Sequence, residues 1–168
     1  SYFLSTVSQL SLAFAQIVHG GKLIKPKLFY QDNNKEIKIP TLLAAQSHLK
    51  ILKKALDDAT NKPGGTSYRS RILGEHKMAG KTGTSQVRVI SEKERKDGII
   101  KNKDLPWNKR DHGLYVGFGP VNKPKYAISV IIEHGGSGSK AAAPIASRIF
   151  KFLFRKKMKS KRVSIINV

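Results

Sequence analysis

Cysteine is absent from the 168 residues, so no disulfide and no cysteine-ligated metal can form, and the redox compartment is left open. No run of about 20 apolar residues occurs, so nothing in this sequence spans a membrane as a helix. The five histidines are scattered, without the paired spacing of metal ligands, and no cofactor is implied. Acidic residues are scarce: 11 Asp and Glu stand against 32 Lys and Arg, a net charge of +21. The chain begins Ser1-Tyr2-Phe3, with neither Met nor a basic-then-apolar signal pattern. The expectation is a chain cut from something longer, or a processed or split product.

What is present fits one domain with a sizeable core. Apolar residues make up 39% of the chain and gather in clear runs. A charge of +21 first suggests nucleic acid. However, the basic residues are spread along the length, Lys outnumbers Arg, and no aromatics interleave with them as in RNA-binding sheets. No nucleic-acid partner is expected. A solvated, Lys-rich surface accounts for the charge, and the functional alternative is a basic module for an anionic polymer or membrane surface.

The pattern predicts a helix over 6–18, capped by Thr6 or Ser5, with Val7, Leu10, Phe14, Ile17 and Val18 on one stripe. Its apolar density suggests a buried helix. Gly20-Gly21 ends it, and His19 is read as a C-terminal cap group favoured by the helix dipole. A small hairpin is predicted over 27–31 and 36–39, turning at Asp32-Asn33-Asn34. A second helix, 47–60, buries Leu49, Leu52, Leu56 and Ala59 and stops at Asn61-Lys62-Pro63-Gly64-Gly65. Residues 66–77 read as a loop and 78–87 as a strand. Residues 88–110 lack a core pattern and read as a surface excursion of the functional or mobile kind. Strands follow at 113–119 and 126–134, joined tightly through 120–124. Both are near-continuously apolar, which implies a sheet covered on both faces. A Gly/Ser loop at 135–140 leads to a last helix over 141–154. Residues 155–162 form a basic tail, and 163–168 a short strand or a disordered end. The fold class is α+β, an antiparallel sheet flanked by helices on both faces.

The strand Met78-Ala79-Gly80-Lys81-Thr82-Gly83-Thr84-Ser85-Gln86-Val87 carries the most chemistry. Lys81 supplies a charge and three donors, and the hydroxyls of Thr82 and Thr84 can bind a carboxylate. Gly83 lets a ligand approach the backbone closely. Alone, K-T-G could equally be a polar strand end.

With its neighbours, this stretch resembles the third motif of penicillin-binding transpeptidases and serine β-lactamases. SYFLSTVSQLSLAFAQIVHGGKLIKP at 1–26 resembles the helix past the active-site core of class B penicillin-binding proteins. PGGTSYR at 63–69 resembles the loop leading into the third motif. Residues 112–149 resemble the last two strands and the terminal helix, and Glu133-His134-Gly135-Gly136 is similar to the elongation type, penicillin-binding protein 2. Residues 1–154 are thereby read as the C-terminal portion of a transpeptidase domain, and 155–168 as a basic tail.

The resemblance implies a D,D-transpeptidase that cross-links peptidoglycan stem peptides ending in D-Ala-D-Ala, and that β-lactams trap. It implies the periplasmic face of the bacterial inner membrane, with no anchor in this chain. It places Lys81 across the cleft from a nucleophilic serine and Thr82 and Thr84 on the substrate carboxylate, with Gly83 between them. The Thr84 N–H is an oxyanion donor, and a missing donor of this kind costs about 3 kcal/mol.

The family needs S-x-x-K, S-x-N and K-T-G in that order, and no S-x-N occurs here. Ser47-His48-Leu49-Lys50 follows the segment that should come after both earlier motifs, and Ser47 reads as a helix N-cap. Ser137-Gly138-Ser139-Lys140 lies after K-T-G in a Gly-rich loop. The chain alone is therefore expected to lack a nucleophile and to need the N-terminal part of its domain as partner. A β-lactamase would further need a deacylating carboxylate beside the serine. Asp111 and His112 are expected near the cleft rim, and Glu133-His134 at a hydrogen-bonded corner. Trp107 is expected to be either a loop anchor or a contact for substrate or partner.

Overall fold

The computed structural model describes residues 4–26, 41 and 45–163, with side chains as far as Arg155. Helix α1, Val7–Val18, is capped by Thr6 in a capping box. The Gln9 N–H donates to the Thr6 hydroxyl at 3.1 Å, and the Thr6 N–H donates to the Gln9 side chain at 2.8 Å. His19 is the C-cap, and Gly20 and Gly21 leave the helix at φ 75° and 79°, a region that favours glycine. Contrary to the expectation of a buried helix, no α1 residue is fully buried. One face packs on the sheet and α2, and the rest is only partly covered. The predicted hairpin lies outside the described residues, apart from a bridge between Lys22 and Thr41.

Helix α2, Gln46–Asn61, starts without the Ser47 cap. Ala45 holds the N-cap position and makes no side-chain cap bond, so Ser47 lies two residues too far in to serve. Instead, the Gln46 amide donates to the Gly20 carbonyl at 3.0 Å and ties α2 to the end of α1.

The sheet has three antiparallel strands in the order β1, Ala79–Ser85; β2, His112–Gly119; β3, Tyr126–Ile132. Gly80 pairs with Gly117 and Thr82 with Tyr115, and Tyr115 in turn pairs with Val130. Because side chains alternate, Tyr115, Tyr126, Ile128, Val130 and Ile132 share one face. There they meet Ala142, Ala143, Ala146, Phe150 and Phe154 of the last helix, α3, which runs Ala142–Val163. The small residues of its first turns allow close packing, and Phe150 and Phe154 fill the lower end of the core. Helix α1 packs on β2 and β3, and α2 on β1, so helices flank both faces as expected of this α+β fold.

Two boundaries differ from expectation. The last helix does not stop at Phe154 but continues to Val163 through the basic tail. Lys, Arg and Met are good helix formers, and no Gly or Pro interrupts them. The stretch 88–110 is also more ordered than an open loop. It contains a short helical turn, Glu92–Asp97, capped by Ser91, and two 3₁₀ turns at Asn102–Asp104 and Trp107–Lys109.

Candidate active-site wall

Strand β1 pairs on one side only, with β2, so among the described residues its other edge is open. Thr60, near the end of α2, closes the first part of that edge. The Gly80 N–H donates to the Thr60 hydroxyl at 3.1 Å, and that hydroxyl lies 3.4 Å from the Gly80 carbonyl oxygen. Ser67 completes the knot, 3.0 Å from Thr60 through hydroxyls and 3.2 Å from the Ala59 carbonyl.

In an antiparallel ladder, a residue's N–H and C=O point to the same side, and the side alternates along the strand. Gly80 faces outward, so Thr82 and Thr84 face outward too, with their peptide groups on the open edge. Two side chains meet that edge at Thr82. Lys81 Nζ donates to the Thr82 carbonyl at 2.7 Å, and the Thr82 hydroxyl donates to that of Thr66 at 3.0 Å. Lys81, Thr84 and Ser85 are exposed.

The two glycines of this strand are constrained differently. A Cβ on Gly80 would run into the Val116 carbonyl and lie 2.6 Å from the Tyr115 hydroxyl, so packing dictates glycine there. A Cβ on Gly83 would meet only Leu114 Cβ at 3.5 Å, an ordinary contact. A methyl is tolerated at Gly83, although Gly138 packs against its backbone, where a Cβ on Gly138 would run into the Gly83 carbonyl oxygen.

Behind the strand, Tyr115 is fully buried, and its hydroxyl makes no hydrogen bond. Burial pushes its pKa up to about 12, against a smaller opposing effect of the nearby Thr60 hydroxyl. The Thr60 hydroxyl is already engaged by Gly80 and Ser67.

The far end of the strand is held by the 88–112 segment. Asn102 clamps Asp111 twice, donating to its carboxylate at 2.9 Å and accepting its N–H at 2.8 Å. The Asp111 carboxylate also receives the Val87 N–H at 3.4 Å. Arg88 and Glu94 form a two-bonded pair at 2.6 and 2.5 Å, and this Arg88 hydrogen bonding lowers Glu94 to about 2. His112, opposite Ser85, accepts the His134 N–H on Nδ1 at 2.9 Å. His134 Nδ1 lies 2.9 Å from the Arg110 carbonyl, and only a protonated Nδ1 can bond there. Trp107 packs edge-on against His134 with ring centroids 4.4 Å apart, yet remains 62% exposed. His134 is thus hydrogen-bonded to His112 and to the Arg110 carbonyl, beside the last residue of β1, whereas Glu133 of the expected corner is exposed. Trp107 anchors its loop and still offers a free face.

Of the two formal S-x-x-K strings, the Ser137–Lys140 loop packs against β1, with Gly138 on the Gly83 carbonyl oxygen. Ser47 and Lys50 are exposed on α2, whereas Ser137 bonds Ser139 at 2.8 Å and its carbonyl accepts the Ala141 N–H. Among the described residues no group of three or more His, Asp or Glu is placed to hold a metal. Thr60 and Thr66 were not singled out from the sequence. Only Thr66, inside PGGTSYR, carried a signal in its proximity to the motif.

A model of the penicillin-binding protein transpeptidase domain matches residues 4–151. Peptidoglycan D,D-transpeptidase MrdA of Salmonella typhimurium is 30% identical over 91% of this chain, and that of Haemophilus influenzae 26% identical over 94%. In both cases the chain spans only 25% of the relative's length. Among solved structures, penicillin-binding protein 2 of Helicobacter pylori, in complex with MreC, superposes with a TM-score of 0.72 at 29% identity, covering 92% of this chain and 26% of that one. Penicillin-binding protein 2 of Pseudomonas aeruginosa, in complex with WCK 5153, gives 0.66 at 25% identity, covering 89% and 29%. The open-edged strand bearing K-T-G, the sheet behind it and these matches agree: the chain belongs to the penicillin-binding protein transpeptidase family.

Proposed function

We propose that this chain supplies the K-T-G wall of a D,D-transpeptidase site in peptidoglycan cross-linking. The observation that carries the proposal is the outward parity of Thr82 and Thr84, set by the Thr60–Gly80 bonds on the same edge. In that reading, the Thr84 N–H donates to the oxyanion of the attacked carbonyl. The hydroxyls of Thr82 and Thr84 bind the terminal carboxylate of a D-Ala-D-Ala stem peptide or the carboxylate of a β-lactam. Lys81 releases the Thr82 carbonyl and turns its charge toward the ligand. Gly83 gives the ligand access to the strand.

The attacking serine is not supplied by these residues. S-x-N is missing from the sequence, Ser47 lies in the first turn of α2, and the Ser137 hydroxyl is bonded to Ser139. The chain therefore needs the serine-bearing part of the domain, and its place of action is the periplasmic face of the inner membrane. Among the described residues no helix is long and apolar enough to cross a membrane.

Fluorescent penicillin tests this directly. The isolated chain is expected to take no covalent label. Mixing it with the upstream part of the domain carrying S-x-x-K and S-x-N should restore labelling, and Lys81→Ala should abolish it again. Labelling of the isolated chain would overturn the absence of a nucleophile. Full labelling of the Lys81→Ala mixture would overturn the role of the wall.

A further inference from the structure

Thr66 stands against the K-T-G strand, and its neighbours hold it there. The Ser67 N–H and hydroxyl both donate to the Ala59 carbonyl, at 3.1 and 3.2 Å. The Gly65 N–H donates to the Lys62 carbonyl at 3.0 Å, and a Cβ on Gly65 would run into the Ala59 carbonyl. The loop therefore lies flat on the end of α2. That helix end closes the edge at Gly80 through Thr60 and presents Thr66 to Thr82, two residues further along the strand. The contact is between hydroxyls, and its direction matters. A threonine hydroxyl has one proton. That of Thr82 goes to the Thr66 oxygen at 3.0 Å. Toward a ligand, Thr82 then offers only lone pairs, which a carboxylate repels. Thr66 is exposed, and its own proton has no acceptor among the described residues.

We propose that Thr66 is a carboxylate-binding residue of this site, donating directly to the carboxylate of the stem peptide or β-lactam. Accepting a bond from Thr82 polarises the Thr66 O–H and makes it the stronger donor. The share of Thr82 in holding the carboxylate then runs through Thr66. The exposed Lys81 ammonium donates to the Thr82 carbonyl at 2.7 Å, so a cation and a free hydroxyl proton flank Thr82 on one edge. A charge-assisted hydrogen bond to a single anionic group uses both. The assignment rests on the K-T-G reading above and adds to it a residue from outside the motif.

The test uses the complete domain, this chain together with its serine-bearing part. It compares the rate of acylation by a penicillin with that by the methyl ester of the same penicillin. The parent should prefer the acid. Thr66→Val should lower that acid-over-ester preference about tenfold, the loss of a hydrogen bond to a charged group. Thr66→Ser restores the hydroxyl and should keep the preference. A merely structural role would slow both ligands alike and leave the ratio where it was. With Lys81→Ala unable to label, an unchanged ratio in Thr66→Val, or an equal loss in Thr66→Ser, overturns the assignment of Thr66 and leaves the wall standing. Full labelling of Lys81→Ala, or a parent indifferent to the ester, overturns the K-T-G reading and Thr66 with it.

Discussion

The Thr60 hydroxyl accepts the Gly80 N–H at 3.1 Å and lies 3.4 Å from the Gly80 carbonyl, taking the place of a neighbouring strand. It is fully buried, so water cannot take over its role. Thr60→Val keeps the shape and removes the bonds. It should cost about 1–3 kcal/mol in urea unfolding, the penalty of a buried unsatisfied amide, whereas Thr60→Ser should retain most of the stability.

Gly80 and Gly83 lie on one strand under different packing constraints. Gly80→Ala drives a methyl into the Val116 carbonyl, which is backbone and cannot turn away. It should lower stability by about 3 kcal/mol or prevent folding. Gly83→Ala has room and should unfold within about 1 kcal/mol of the parent. In the reconstituted domain, Gly83→Ala should nevertheless slow penicillin labelling. If labelling is unaffected, Gly83 does not lie on a ligand path.

Tyr115 buries a hydroxyl without a hydrogen bond. Tyr115→Phe removes that group and little else, so stability should be unchanged or rise by about 1 kcal/mol. The folded-state value of about 12 lies above the usual 10. Stability is thus fully present below pH 10 and falls as pH rises from there through the folded value, because the unfolded chain ionises first. Thermal unfolding across this range should lose part of its pH dependence in Tyr115→Phe.

The Arg88–Glu94 pair fixes the excursion that follows β1. Glu94 is depressed to about 2, mainly by its hydrogen bonds to Arg88. Its contribution is present above the unfolded value of about 4.5 and is lost as pH falls through about 2. Amide exchange at Ile100, whose N–H donates to Glu94 at 3.2 Å, should quicken over that acid range. In Glu94→Gln, exchange should already be fast at neutral pH and insensitive to acid.

Much of the fold was legible in the residues. Helical spacing located α1 and α2, Gly20-Gly21 ended the first, and near-continuous apolar runs gave β2 and β3. Ser47 misled because a serine near a helix start suggests a cap, while the chain starts the helix at Gln46 and ties that residue to Gly20. The basic tail misled in the other direction. The helix was expected to end at Phe154 before a basic tail, whereas good helix formers carry the backbone on to Val163. In 88–110, order comes from Asn102–Asp111 and Arg88–Glu94, pairs separated in sequence that no local periodicity reveals.

The sequence by itself determined which residue types stand together: Lys81, Thr82, Gly83 and Thr84 in one strand, with no S-x-N motif to accompany them. Those are properties of local order along the chain, and residue types carry them. Only the tertiary structure decided which edge of β1 is open, that Thr60 closes its first part, and that Thr82 and Thr84 face outward. Strand parity has no sequence signature until a partner fixes it. Here the ladder with β2 fixes it, and a buried hydroxyl from a helix some 20 residues upstream caps the outward side at Gly80.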